Sequence, residues 1–494
     1  MSEEGRRRIL RVALLGLAVG LAFQGSRGLF ETTEGRYAEV AREMVETGAW
    51  WTPQLDYRPH WSKPPFTYWT IAGGIEAVGV NAWGARLAHG LALPAGGLVV
   101  LWLGTLLYDP RTGYAAGLVF VTSLLPVVAS ATLSTDFPLA LAEAWVAACY
   151  WQAIRAGPGR RERHWVAWMW AAAGLSFLIK GPPSLLTPAA ITIHAWMGRR
   201  RGWRAPRLWS ASGFAAFALV GLGWYLSVVL TTPGLLHYFL ADEVIGRVAT
   251  ARFHRNPEWY KPPLIYGPPL LLGLGAWLAY LAGFAASRQP PAWRLRAPTT
   301  SEGWFLTLWL AVPLVVLSLS RSRLPLYVLP FFPAVVLPFA HALVRRARDR
   351  RLPTVAAGVA IGMIALKAVA AHVPSDRDMA ALYRALAPQI TAHDRVIAVD
   401  EPRLYGLEFY LAGALERARL TRTDMDAPAL ARLLDELSPD RRLLLVIRSG
   451  RKAPAGTAAG APGRVEHAAC TAPRTCSARP LSGAYRLVIV SGSG

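Results

Sequence analysis

Apolar runs of 16 to 25 residues alternate with short arginine clusters from residue 64 to residue 372. A bilayer core takes about 20 apolar residues per helix, so each run predicts a membrane-spanning helix. The expected spans are residues 9–25, 86–107, 113–131, 134–155, 165–179, 182–198, 207–230, 262–286, 304–320, 324–344 and 352–372. One further stretch, PPFTYWTIAGGIEAVGV at 64–80, is apolar but short, contains Glu76 and opens on two prolines. It is expected to lie at the membrane interface or dip into it, which leaves eleven crossings.

The clusters between the runs set direction, because cytoplasmic loops carry the excess of arginine and lysine. Arg160, Arg161 and Arg163 mark one such loop, and Arg199, Arg200, Arg201, Arg204 and Arg207 a second. Arg288, Arg294 and Arg296 mark a third, and Arg345, Arg346, Arg348, Arg350 and Arg351 a fourth. Alternation then puts Asp136, Lys180, the loops 26–85 and 231–261, Arg321–Arg323 and everything from residue 374 outside the cytoplasm. The first run follows Arg6, Arg7 and Arg8 and lacks a small-residue cleavage site, so it reads as a retained anchor with a cytoplasmic N-terminus.

After residue 374 the period changes. DRVIAVD and RRLLLVIRSG are short strand-like runs, each next to a helical stretch at 378–388 or 427–437, and RKAPAGTAAGAPG reads as a loop. About 120 residues suffice for one small α/β domain. The expected organisation is therefore a polytopic α-helical membrane domain at 1–373 and an external α/β domain at 374–494. The formal charge of +22 would by itself suggest nucleic acid, but the arginines sit between apolar runs in a chain that is 53% hydrophobic. Of the three cysteines, Cys149 lies in a span, and Cys470 and Cys476 are either a disulfide or two free thiols.

The external segments hold the candidate chemistry. In FETTEGRYAEVAREM, Phe30 to Met44, Thr32 and Thr33 can cap a helix in which Tyr37, Val40, Ala41, Met44 and Val45 recur at helical spacing, and Gly48 ends it. The pattern predicts an amphipathic helix of about four turns on the outer membrane face. Glu34 lies in its first turn, where the helix dipole favours a carboxylate, and Glu31 just before it. Solvated charges on an interfacial helix would give the same pattern. Lys63, in YRPHWSKPPFTYW, precedes two stiffening prolines and is placed to bind a lipid phosphate or to snorkel. Asp136 in STDFP, Lys180 in LIKGPP, and Arg321, Arg323 and Tyr327 in RSRLPLY fall at the outer ends of spans. The loop 231–261 adds Asp242, Glu243, Arg247, Arg252, His254 and Arg255. Carboxylates and cations on one face suit a site that grips an anionic headgroup while a carboxylate moves a proton. The chain has no GxxxxGK[ST], no strand–GxGxxG–helix and no HExxH.

In order along the chain, TEGRYAEVAREM, GAWWTPQLDYRPHWSKPPFTYW, NAWGARL, TDFPL, IKGPP and SRLPLYVLPFFP resemble the bacterial aminoarabinose transferase and protein mannosyltransferase-like glycosyltransferases of the GT-C fold. The likeness covers residues 10–345 and is most specific at Arg36-Tyr37-Ala38-Glu39 and Lys63-Pro64-Pro65. It implies inverting transfer of a sugar from polyprenyl phosphate, typically undecaprenyl phosphate, to a lipid, glycan or protein acceptor on the periplasmic side of the inner membrane. Carried over by position, Lys63 and Arg323 would bind the donor phosphate. Arg36, Tyr37, Asp136, Lys180, Glu243, Arg247 and Tyr327 would surround the cavity.

The chain departs from the family pattern twice. The family's Asp-Glu before Arg-Tyr reads Thr33-Glu34, so Glu34, then Glu31, with Asp136, stand as the candidate catalytic carboxylates. An acceptor already ionised, such as a phosphate, would need no strong base. The glutamate and histidine that can hold zinc in the aminoarabinose transferases read Ser62 and Val244, leaving His60 and His254 as substitutes for a divalent metal. Two rivals stay open: a non-catalytic polyprenyl-phosphate-binding protein, and a lipid or sugar transporter or flippase.

Overall fold

The computed structural model describes residues 2–246, 255–285, 298–346, 351–399, 403–418, 442–448, 475–482 and 484–491. Every one of the eleven apolar runs falls on helix. The first half contains α1 (Glu3–Leu21), α2 (Thr33–Thr47), α3 (Phe66–Val78), α4 (Ala82–Leu107), α5 (Pro110–Thr122), α6 (Leu124–Ser130), α7 (Asp136–Ala156), α8 (Arg160–Lys180) and α9 (Leu186–Arg200). There follow α10 (Ala211–Thr231), interrupted by a π-helical turn at Ala218–Leu222, α11 (Pro262–Gly273), α12 (Gly275–Ala285), α13 (Ser301–Leu319), α14 (Pro333–Arg345) and α15 (Leu352–His372). Local chemistry explains the boundaries. Asn81 caps α4 by accepting from the Gly84 N–H at 2.9 Å, and Asp109 caps α5 through Arg111 and Thr112, with Pro110 at the first helical position.

Among the described residues, α4, α10, α13 and α15 are each long and apolar enough to cross a membrane. Three bent pairs, α5 with α6, α11 with α12, and the 3₁₀ turn Pro325–Phe331 with α14, raise the number to seven. That is fewer than the eleven crossings expected. The shortfall lies in α1, α7, α8 and α9, which either carry ionisable groups (Arg6, Arg7 and Arg8; Asp136 and Glu143; Glu162 and Lys180) or, in α9, have only 15 residues, about 22 Å. The prolines of 64–80 do not start a span either: α3 has 13 residues and packs between α2 and α4.

The membrane core forms around α4, α5, α7 and α8. Two fully buried indoles brace it, Trp277 donating to Thr122 Oγ1 at 3.0 Å and Trp309 to Thr187 Oγ1 at 2.9 Å. Beyond α15, α16 (Met379–Leu386) and α17 (Tyr405–Tyr410) flank a five-stranded sheet. Its strands are β3 (Arg395–Val399), β4 (Leu415–Ala418), β5 (Arg442–Arg448), β6 (Thr475–Pro480) and β7 (Tyr485–Ser491), in the order β4-β3-β5-β7-β6. β3 is parallel to β4 and β5; β7 is antiparallel to β5 and β6. Cys476 on β6 is disulfide-bonded, while the helix expected at 427–437, the loop RKAPAGTAAGAPG and Cys470 lie outside the described residues.

Helix α2 forms where expected and ends at Gly48, whose φ of 69° is the left-handed conformation glycine takes at low cost. It does not lie on a surface. Ten of its fifteen residues are buried, Glu34, Glu39 and Glu43 among them, because α3, α17 and the hairpin β1–β2 (Gln54–Leu55 and Arg58–Pro59) enclose it. Nor does Thr32 cap it; the Phe30 carbonyl accepts from the Glu34 N–H at 3.2 Å.

The helix is locked by Arg86 of α4, which is 1% exposed. Its guanidinium donates to the Gln24, Arg27 and Gly28 carbonyls at 2.7–2.9 Å and to Glu34 at 2.9 Å, and Arg27 closes on the same carboxylate at 2.9 Å. Replacing Arg86 by Ala removes one of the two guanidiniums on a buried carboxylate and leaves three carbonyls without their donor, so we expect a loss of about 3 kcal/mol of stability. Arg86→Lys, which cannot fork, is expected to recover only part of it. Thermal unfolding in detergent measures both.

Candidate functional site

Helix α2 presents Arg36 and Tyr37 toward the start of α7 and the end of α8. The Tyr37 hydroxyl is flanked by Thr135, Asp136, Lys180 and Arg36, and its ring lies 5.3 Å from that of Tyr68 on α3. Asp136 starts α7 and forms an ion pair with Lys180 at the end of α8, whose ammonium stands 4.3 Å above the Tyr327 ring. Beside this group the 60–63 segment brings in His60, Ser62 and Lys63. Lys63 pairs with Glu243 at 3.2 Å, and Tyr238 donates to the same glutamate at 3.3 Å. Arg36 faces no carboxylate contact among the described residues, and its Nε is buried without a hydrogen-bond partner. Sequence-distant elements thus bring Arg36, Tyr37, Lys63, Asp136, Lys180, Glu243 and Tyr327 to one end of the bundle.

The loop that carries Asp136 is itself pinned. Glu34 accepts from the Leu133 N–H at 3.1 Å, Arg27 donates to the Ala131 carbonyl at 3.0 Å, and His89 of α4 contacts the Ser134 carbonyl at 2.8 Å. Arg27, Arg86 and His89 escaped the sequence reading. The signal that would have found Arg86 is its place in NAWGARL, an arginine opening an apolar run that needs a partner at depth.

Three of the expected site residues are engaged elsewhere in the structure. Glu34 is 2% exposed and is held by Arg27, Arg86 and the N–H groups of Phe30 and Leu133. Burial pushes its pKa up, but the charges of Arg86 and Arg27 outweigh it and hold the carboxyl down to about 2. A carboxylate so engaged is held ionised, with its oxygens occupied by donors. Glu31 points to the C-terminal domain, accepting from the Gly406 N–H at the start of α17. Arg323 is spent on backbone: it donates to the Asn256, Glu258 and Ser318 carbonyls at 2.7–2.8 Å, clamping the 255–258 loop to the end of α13. Arg247 and His254 lie outside the described residues, as does the side chain of Val244.

Of the two candidate metal ligands, only His60 falls among the described residues. His60 Nε2 is 2.6 Å from Ser62 Oγ, and burial, with Arg36 and Lys63 close by, lowers its pKa to about 4. Glu243, the nearby carboxylate, is taken up by Lys63. Among the described residues no group of three or more His, Cys, Asp or Glu side chains converges.

Comparison with known proteins identifies the fold and the family. Residues 62–248 fit the family model described as dolichyl-phosphate-mannose-protein mannosyltransferase. ArnT from Cupriavidus metallidurans, solved bound to undecaprenyl phosphate, superposes with a TM-score of 0.74 at 20% identity, over 99% of this chain and 98% of that one. The archaeal oligosaccharyltransferase AglB from Archaeoglobus fulgidus, at 12% identity, gives 0.54 over 90% and 70%. The chain therefore has the GT-C fold of multi-pass membrane proteins. It is 32% identical over 346 residues to an undecaprenyl phosphate-α-4-amino-4-deoxy-L-arabinose arabinosyl transferase of Pseudomonas aeruginosa, covering 68% of this chain and 60% of the relative. A relative of that name from Erwinia tasmaniensis shows 31% identity over 64% of this chain and 55% of its own length. The chain is aminoarabinose transferase-like in family, as its motifs imply, and spans somewhat over half of these relatives' length.

Two carboxyls around α2 give a pH prediction. Burial raises the pKa of Glu31 to about 8 and that of Glu43 to about 7, against weaker lowering by backbone N–H donors. A raised folded-state pKa contributes stability fully present below the unfolded value, about 4.3, and lost as pH rises through the folded value. Stability of the α2 region is therefore expected to fall between pH 5 and about 8. Hydrogen exchange of residues 28–47 at pH-corrected rates measures it.

Proposed function

We propose that the protein is an inverting membrane glycosyltransferase that moves a hexosyl or pentosyl group from polyprenyl phosphate, of the undecaprenyl type, to an acceptor that is already ionised, such as a lipid phosphate. What carries the reading is a bay of cations, Arg36, Lys63 and Lys180, beside which Glu34 is held by Arg86 and Arg27, Asp136 by Lys180 and Glu243 by Lys63, while Glu31 turns to the Gly406 N–H of the C-terminal domain. With Thr33 in the position of the family's aspartate, a hydroxyl acceptor would lack a carboxylate free to take its proton. An ionised phosphate oxygen needs none.

In this mechanism the acceptor oxygen attacks the anomeric carbon from the face opposite the donor phosphate. The bond from that carbon to the phosphate oxygen breaks, and polyprenyl phosphate leaves with the electron pair. Arg36 and Lys63 stabilise the charge that develops on it, and Lys180, steadied by Asp136 and the Tyr327 ring, holds the acceptor side. The relatives' names and the undecaprenyl phosphate bound to ArnT support the donor. The arginine clusters support an inner-membrane placement with the N-terminus in the cytoplasm and the site and C-terminal domain outside it. A glycan or protein acceptor, or a protein that binds polyprenyl phosphate without transfer, is the second reading, and Thr33 favours its binding-only form.

Purified protein in lipid, given radiolabelled polyprenyl-phosphate sugars and either lipid phosphates or hydroxyl acceptors, tests this. Transfer is expected to lipid phosphates in preference to hydroxyls. Lys63→Ala should raise the donor KM about tenfold or more, as loss of a charge-assisted phosphate contact of about 1.5–3 kcal/mol implies. Binding of undecaprenyl phosphate with no transfer to any acceptor would establish the binding-only form instead.

A further inference from the structure

We infer that the C-terminal α/β domain is a positioning part of the donor site, gripping α2 from outside so that Arg36 and Tyr37 are held in place; this rests on the reading of that site given above. The domain touches α2 and its approach at three places. First, Phe30 pairs with Asp378 as an antiparallel bridge. On either side the Met379 N–H donates to the Leu29 carbonyl and the Glu31 N–H to the Arg377 carbonyl, both at 3.1 Å, and Arg377 returns a bond to the Glu31 carbonyl at 2.7 Å. Second, the first turn of α2 meets the start of α17 at two glycines, Gly35 and Gly406, with only the Glu31 carboxyl beside them. A Cβ on Gly35 would lie 2.4 Å from the Gly406 nitrogen, so only glycine allows the approach that lets Glu31 reach the Gly406 N–H. Third, Arg417 of β4 bridges Glu408 of α17 and Asp56 of the β1–β2 hairpin. That hairpin is in turn tied to α2, because Glu43 accepts from the Asp56 and Tyr57 N–H groups at 2.8 and 2.9 Å and Arg42 donates to the Tyr57 hydroxyl at 3.2 Å.

Arg36 stands in this seam. On the domain side its charge acts on Glu31 and Tyr405; on the site side it acts on His60 and Tyr37. Phe409 of α17 is fully buried in the same apolar cluster as Tyr37 and Tyr68. The domain therefore shares a core with the helix that presents the site. A domain that served only as a covalently attached neighbour would not need contacts at both ends of that helix.

The test uses full-length protein in lipid nanodiscs and compares Arg417→Ala, Arg417→Lys and Gly35→Ala with Arg395→Ala, which removes an exposed ion pair to Glu416 within the domain's own sheet. Three readouts are taken: hydrogen exchange of residues 33–47, affinity for undecaprenyl phosphate, and donor KM and kcat. Arg417→Ala and Gly35→Ala are expected to speed exchange of 33–47 and to weaken undecaprenyl phosphate about 5- to 20-fold, with KM rising to match and kcat changing less than about threefold, as for loss of ground-state positioning. Arg417→Lys should recover part of the affinity, and Arg395→Ala should match wild type. Faster exchange with unchanged affinity, or no change in either, overturns the inference while leaving the donor site standing. A wild type that neither binds undecaprenyl phosphate nor transfers sugar overturns the donor-site reading and this inference together.

Discussion

The structure hangs on one buried charge cluster, Glu34 with Arg86 and Arg27. A carboxylate 2% exposed survives at depth only if its desolvation is offset by charges and donors at short range. Here the two guanidiniums and two backbone N–H groups supply them. The same cluster binds the end of the α1–α2 connection through three carbonyls and the 131–133 segment through the Leu133 N–H, so α1, α2, α4 and the start of α7 are fixed to one point. Arg36 and Tyr37 inherit their positions from that arrangement through α2, and Asp136, with the Lys180 it pairs, through the pinned loop.

Around this anchor the acidic face of α2 is consumed rather than presented. Glu39 binds Arg42, Glu43 holds the hairpin, and Glu31 reaches the C-terminal domain. What remains turned toward the bay is cationic, and that is the electrostatic character a lipid-linked phosphate and a phosphate acceptor both require. The absence of an aspartate at Thr33 and the engagement of Glu34 point the same way, toward chemistry in which the protein stabilises a leaving phosphate instead of abstracting a proton.

Much of the fold was legible from spacing. The helix over 33–47 with its glycine stop, the strands β3 and β5, and the helical runs of the membrane domain all follow from period and punctuation. Charge distribution also picked out residues that the fold brings together: Arg36, Lys63, Asp136 and Lys180 lie at one end of the bundle. The roles of the individual carboxylates were not legible. Glu34 and Arg86 are 52 positions apart, and Asp56 and Arg417 are 361 apart. With 53 lysines and arginines for 31 aspartates and glutamates, spacing offers each acid many partners and selects none.

By itself, then, the sequence determined where the chain is apolar enough to leave water, where helices start and stop, and which end of the bundle gathers charge, because these depend on neighbours within a turn or a span. Only the tertiary structure decided which acids are anchors, that Arg323 serves a loop rather than a phosphate, and that α2 is enclosed by a domain more than 300 residues downstream. Protonation and access are set by desolvation and by charges brought close in space, and those distances exist only once the chain has folded.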